Sequence, residues 1–271
     1  MSITKTTVFV VGGTSEKPTV LHPYGTLTFA THMLDPDLFE IIWVAYPAVY
    51  GIDMPYEDSK RIGIDNLKRM ILFCRGKFAM LGYSQGSDIV GEVAAQIGDG
   101  RMAIRLTDLV FVGLLADPGR DKKPARVGNI NATGYGIRGS RGGFGAVASK
   151  VAQFAHPKDP ICNAADDAMI RDVADLTRMM GPDRVRWAND VLAQAGERTW
   201  QNAWLAPNLW RIPQTFMRLR QLRADVAAYL PKTALNPDGG QHTSYHNTPM
   251  YPGGPTYCAR MGQLLAESSP K

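Results

Sequence analysis

The chain has 271 residues, 45% hydrophobic and 20% charged, enough to bury one large α/β domain with an insertion or two small domains. Its net charge of +5 comes without a run of about five or six Lys/Arg, which removes the polybasic signature of a nucleic-acid binder and leaves a mild attraction to polyanionic surfaces such as a cell wall. No apolar stretch approaches ~18 residues, so no transmembrane helix is expected.

Met1 to Lys5 leads almost directly into a strand, without a basic n-region, apolar h-region or cleavage site, so the mature chain is expected to start here. Thr6 to Val11 reads as the first strand and opens onto the polar, glycine-rich loop Gly12-Gly13-Thr14-Ser15-Glu16. A helix around Leu27 to Met33 precedes a second strand, Phe39 to Ala45, stopped at Tyr46-Pro47-Ala48. Ile64, Leu67, Met70, Ile71 and Leu72 give helical spacing over Ile64 to Phe73. Lys77 to Leu81 is a short apolar run suited to a buried parallel strand. Leu109 to Leu115 predicts a fourth strand, closed by Asp117-Pro118-Gly119, and Val151 to Ala155 a fifth, opening onto His156-Pro157-Lys158-Asp159-Pro160. Strands alternating with helices predict a parallel sheet covered on both faces, with the loops after the first, third and fifth strands on one shared face.

From Ala164 to Leu230 the pattern is helical throughout, and four of the five tryptophans lie there. They serve either as the core of a helical subdomain or as an apolar lid over substrate, with Trp200 and Trp204 the candidates for substrate contact. Thr233 to Thr256 returns to loop chemistry, and a last helix runs from about Tyr257 to Glu267. The expected organisation is a catalytic domain from residues 1–163 and 233–271, interrupted by a helical insertion at 164–232.

Chemistry enters after the third strand, at Gly82-Tyr83-Ser84-Gln85-Gly86. This G-x-S-x-G spacing, between a strand and a helix carrying Ile89, Val90, Val93, Ala94 and Ile97, is a nucleophile elbow. The serine sits on a strained turn, and the flanking glycines keep side chains from colliding with the adjoining strand and helix. An acyl-transfer serine needs a base, an acid to orient it and donors for the oxyanion, in the chain order Ser, Asp or Glu, His. His22 and His32 precede Ser84, and His156 precedes the downstream acids, which leaves His242 and His246 as bases. Asp159, directly after a strand, is the favoured acid; Asp117, Asp166 and Asp167 are alternatives. The Gln85 N–H is the first oxyanion donor and Thr14, through its N–H and hydroxyl, the candidate second. The Gly12-Gly13-Thr14 loop lacks G-x-G-x-x-G, and nothing has zinc-ligand spacing, so neither metal nor cofactor is expected. Three scattered cysteines, Cys74, Cys162 and Cys258, make no disulfide framework and suit a reducing compartment.

Gly12-Gly13-Thr14, Tyr46-Pro47-Ala48, Gly82-Tyr83-Ser84-Gln85-Gly86, Asp159-Pro160-Ile161-Cys162 and His242-Thr243-Ser244-Tyr245 together resemble the successive motifs of cutinase-like serine esterases. The resemblance implies the α/β-hydrolase fold and favours His242 over His246 as base. Within that superfamily the long helical insertion, sparse cysteines and missing signal peptide look most like the bacteriophage lysin B esterases. That likeness implies hydrolysis of the ester joining mycolic acid to arabinogalactan. It also implies synthesis in the host cytoplasm and action on the host envelope after release. The expected partner is a lipid ester of the envelope, met by a monomer. Two departures stand out: Cys162 lacks the disulfide partner found in secreted cutinases, and the chain has no room for a peptidoglycan-binding module. The mechanism expected is two-step acyl transfer through Ser84, His242 and Asp159. A cutinase-like or PE-PPE-type mycobacterial esterase, and a non-catalytic envelope-binding module, are the rival readings.

Overall fold

The computed structural model describes residues 5–17, 24–122, 132–203 and 212–268. Its centre is a parallel sheet of five strands, β1 (Thr6–Val11), β2 (Phe39–Trp43), β3 (Phe78–Tyr83), β4 (Leu109–Leu115) and β5 (Val151–Phe154), in the order β2-β1-β3-β4-β5. The runs of Val and Phe in β1 and of Phe, Ala, Met and Leu in β3 are buried on both faces, as a sheet covered by crossover helices requires. Their alternation divides the core in two: Val8 and Val10 join one apolar cluster, Phe9 and Val11 the other. One face is closed by α1 (Thr28–Thr31) and α7 (Tyr257–Ser268), which bring Ala30, Met261 and Leu265 to it. The other is closed by α2 (Tyr56–Phe73) and α3 (Gln85–Gly98), through Leu67, Ile71, Ile89 and Val93.

This strand order reverses direction between β1 and β3, and ligands of doubly wound sheets gather outside the carboxyl ends of strands at such a switch point. The Gly12-Gly13-Thr14 loop leaves β1 and Ser84 leaves β3, so the fold sets both on opposite sides of that crevice. All five strands lie within a few residues of their predicted positions, but two helices differ. Helix α2 begins at Tyr56 and not at Ile64. Its first turns bury Tyr56, Ser59 and Gly63, which carry no apolar periodicity; Pro55 before the helix, with Glu57 and Asp58 in the first turn, is what starts it. Helix α1 is a single turn, shorter than Leu27 to Met33.

Between β5 and α7 lie α4 (Met169–Thr177), α5 (Arg184–Glu197) and α6 (Ile212–Tyr229), with no strand among the described residues of the segment. A small apolar cluster with Ile170, Ala174 and Leu222 joins α4 and α6, and polar contacts supply the rest. Arg171 is fully buried, stacks 3.5 Å from the centre of the Tyr135 ring, and donates to the carbonyls of Tyr135, Gly136, Ala164 and Ala165. Arg218 of α6 pairs with Asp172 of α4, Arg178 with Asp190, and Trp187 Nε1 donates to the Leu176 carbonyl. No helix among the described residues is long and apolar enough to cross a membrane.

Candidate active site

Ser84 occupies the turn between β3 and α3 with φ 54° and ψ −119°, a strained backbone for a residue with a side chain. The two glycines show why the turn closes. A Cβ on Gly82 would lie 2.5 Å from the Gly86 carbonyl oxygen, and one on Gly86 would lie 2.1 Å from the Val11 carbonyl oxygen. Ser87 ties the turn down, its hydroxyl lying 2.7 Å from both the Gly82 and Leu115 carbonyls, which share its one proton. Packing of the elbow against β1 and β4 therefore fixes where the Ser84 hydroxyl points.

Ser84 Oγ lies 2.9 Å from His242 Nε2, and His242 Nδ1 lies 2.9 Å from Asp159 Oδ2. All three residues are buried. The imidazole is held from several sides: its backbone N–H donates to the Ala228 carbonyl, its carbonyl accepts from the Tyr83 hydroxyl at 2.7 Å, and the rings of Tyr83 and Tyr229 pack against it at 5.4 and 5.1 Å. Asp159 is equally constrained. Tyr245 donates its hydroxyl to Oδ2 at 2.6 Å, the Ile161 N–H donates to Oδ1 at 2.9 Å, and Cys162 Sγ lies 3.5 Å from Oδ2. Burial alone would push the Asp159 carboxyl up. The charge and hydrogen bond of His242, with the bonds from Tyr245 and Ile161, outweigh burial and hold it below its ordinary value. An ionised, oriented carboxylate beside the imidazole is what a serine–histidine relay needs for nucleophilic attack.

The loop after β1 faces the serine. A Cβ on Gly13 would meet Ser84 Cβ at 3.2 Å, and the Thr14 hydroxyl donates to Gln85 Oε1 at 3.3 Å. Gln85 is the first residue of α3, so no earlier carbonyl of its own helix takes its N–H. Around this loop Tyr46 donates to the Gly12 carbonyl at 2.7 Å, Ser15 N–H to the Ala48 carbonyl, and Gly13 N–H to Glu16. The Tyr46-Pro47-Ala48 segment thus buttresses Gly12-Gly13-Thr14.

The remaining candidates go elsewhere. His246 stacks on Phe29 at 4.7 Å. Asp117 is buried among Arg141, Gln153 and the Gly119 N–H, while Asp166 pairs with Lys122 at the surface and Asp167 gives its carbonyl to Arg218. Trp200 is half-buried after α5, and Trp204 lies outside the described residues. Among the described residues no group of His, Cys, Asp and Glu is placed to hold a metal ion. Sequence reasoning missed Tyr83, Tyr229 and Tyr245 as parts of the site. Tyr83, beside the serine in the elbow motif, and Tyr245, in the His-Thr-Ser-Tyr motif, each had a signal; Tyr229 had none.

No family model matches the chain. Over 138 residues it is 31% identical to a carboxylesterase Culp6 homolog of Corynebacterium glutamicum, a match covering 41% of this chain and 45% of that protein, so less than half of the relative's length is spanned. Among solved structures it superposes on lysin B from Mycobacteriophage D29 with TM-score 0.56 and 20% identity, over 97% of this chain and 99% of that one. The catalytic core domain of acetyl xylan esterase from Trichoderma reesei gives TM-score 0.50 and 19% identity, over 74% of this chain and 98% of that domain. The chain therefore has an α/β-hydrolase fold, shared along almost its whole length with a phage lysin B and over its sheet-sized majority with a fungal esterase.

Proposed function

We propose that this protein is a serine carboxylesterase acting on a lipid ester. The observation that carries the reading is the continuous relay Ser84 Oγ to His242 Nε2 and His242 Nδ1 to Asp159, at 2.9 Å for each link. His242 takes the serine proton as Ser84 attacks the ester carbonyl, then returns it to the leaving alcohol. Asp159 keeps Nδ1 protonated and stabilises the imidazolium, and water repeats the cycle on the acyl-enzyme. The N–H groups of Gln85 and Thr14 receive the oxyanion. No metal or cofactor enters this scheme.

The finer reading is that the ester joins mycolic acid to arabinogalactan and is cleaved from within an infected host at lysis, the product being made in the cytoplasm and acting on the envelope after release. It is supported by likeness to lysin B over 97% of the chain, helical insertion included, where acetyl xylan esterase leaves about a quarter unmatched. The insertion brings Tyr229 onto the His242 ring, so it borders the reacting atoms. A fluorophosphonate probe should label the wild type and not Ser84→Ala. Purified mycolyl-arabinogalactan should release free mycolic acid with the wild type alone. Labelling without that release would keep the esterase and point to a smaller lipid ester, as in cutinase-like enzymes; no labelling at all would leave an envelope-binding protein.

A further inference from the structure

Helix α6 is turned inside out. Its inward side carries the charged residues Arg218, bonded to Asp172 and to the Asp167 carbonyl, and Asp225, both buried, with the half-buried Leu222 between them as its one aliphatic contact to the apolar cluster around Ile170. Its outward side carries Phe216, Leu219 and Val226, at 70%, 50% and 43% exposure, in steps of three and seven that keep them on one stripe, and Leu230, 47% exposed, follows directly after the last turn. Water-soluble helices place these two classes the other way round, so the stripe is built for something other than water. Arg220 and Arg223 fall within the same stripe, are exposed, and have no carboxylate partner among the described residues. Just beyond the helix Leu235 is 98% exposed, on a turn held to α6 by Asn236 Nδ2 donating to the carbonyls of Ala227, Leu230 and Pro231.

We propose that this outer face of α6 seats the protein on an anionic lipid surface. Apolar side chains flanked by arginines are the pattern of an interfacial helix, in which the chains enter the headgroup boundary and the guanidinium groups meet phosphates. The arginines select this occupant over a second copy of the chain, because a twofold helix pair would set Arg220 and Arg223 against their own counterparts with no acid between. The helix also ends at the catalytic relay, with Tyr229 on the His242 ring and the Ala228 carbonyl accepting the His242 N–H. A surface seated on α6 is therefore separated from the candidate nucleophile by the helix, at least roughly 10 Å wide, and by the Tyr229 and His242 rings. The lipid-ester reading gives this surface its purpose; its binding is measurable without turnover.

The test is cosedimentation of Ser84→Ala protein with vesicles of phosphatidylcholine containing phosphatidylglycerol, and with phosphatidylcholine alone. Binding should favour the anionic vesicles and weaken with salt. Leu219→Glu with Val226→Glu should lower it about tenfold or more, and Arg220→Gln with Arg223→Gln should remove the anionic preference. In the Ser84 background these variants should melt like their parent; with Ser84 restored, they should keep wild-type kcat/KM on p-nitrophenyl acetate. Failure of the parent to bind anionic vesicles, or binding that survives the glutamates, overturns the proposal. So does a concentration-dependent dimer abolished by the glutamates, which would assign the face to a second copy.

Discussion

Helices α3 and α6 are held by different balances of packing and polar anchoring, although each buries a charged side chain, Asp88 in α3 and Arg218 in α6. In α3 ten of fourteen residues are buried, most of them small or apolar and pressed against the sheet, and the helix starts on the candidate nucleophile. In α6 Phe216, Met217, Leu219 and Val226 face solvent while Arg218 and Asp225 are buried. The difference shows two ways of placing one relay. Close packing fixes Ser84 without latitude, whereas arginines on carbonyls and carboxylates fix the insertion, which can then leave its apolar side chains at the surface. Hydrogen-bonded anchoring leaves apolar side chains at the surface; packing consumes them.

Removing the hydroxyl from the packed side should have the largest effect. Ser84→Ala should lower kcat on p-nitrophenyl esters by at least ~10⁴ while leaving the melting temperature near wild type, since one hydroxyl contributes little packing. Retention of a tenth of the activity would exclude Ser84 as the nucleophile. His242→Ala should match that loss, and His246→Ala, which removes only a stack on Phe29, should stay near wild type.

Breaking the anchoring of the insertion should separate stability from chemistry. Arg171→Met deletes charge-assisted bonds to four carbonyls, each of which keeps a backbone donor, and a loss of about 3 kcal/mol is expected from the two buried bonds at ~1.5 kcal/mol each. The measurement is urea unfolding. A two-step transition in which short-ester activity outlasts the loss of helix signal would sharpen the contrast, and an unchanged midpoint would refute it.

Tyr245→Phe probes the seam between the regions. It removes the donor to Asp159 Oδ2 and the acceptor of the His156 N–H, and should lower kcat by ~10- to 100-fold with KM little changed, through Asp159 and not through contact with substrate. It also carries a pH signature. Because the Asp159 carboxyl lies below its ordinary value in the folded protein, the stability it contributes is complete above the unfolded value near ~3.9 and lost as pH falls through the folded one. Loss of the tyrosine donor raises the folded value, so acid unfolding of the variant should begin at higher pH than in wild type. Coincident acid limbs would show that the hydroxyl does not act on Asp159.

The smallest effect is expected at Trp200. If the insertion meets acyl chains, Trp200→Ala should flatten the rise in kcat/KM from acetate to laurate esters, each methylene withdrawn from water being worth ~0.8 kcal/mol. A chain-length profile identical to wild type in a folded variant would confine Trp200 to packing within the insertion.

The sequence by itself determined the sheet, because buried parallel strands are short apolar runs and the five here are punctuated by Gly, Pro and Asp. It also determined the elbow, because Gly82 answers a local clash with Gly86 that a spacing rule can express, while Gly86 answers one with Val11 of β1 that the strand–turn–helix context implies. Tertiary structure decided what depends on long-range approach. His242 and His246 both fit the triad's chain order, with only the family resemblance favouring His242, but only His242 lies 2.9 Å from Ser84, since the Ala228 carbonyl and the Tyr83 hydroxyl hold that stretch of loop in place. The start of α2 escaped for a different reason: Ser59 and Gly63 are buried by close approach and have no hydrophobic period. The inverted face of α6 escaped as well. Apolar spacing reports which residues share a side of a helix, and only the neighbours, here Asp172 under Arg218, decide which side is in.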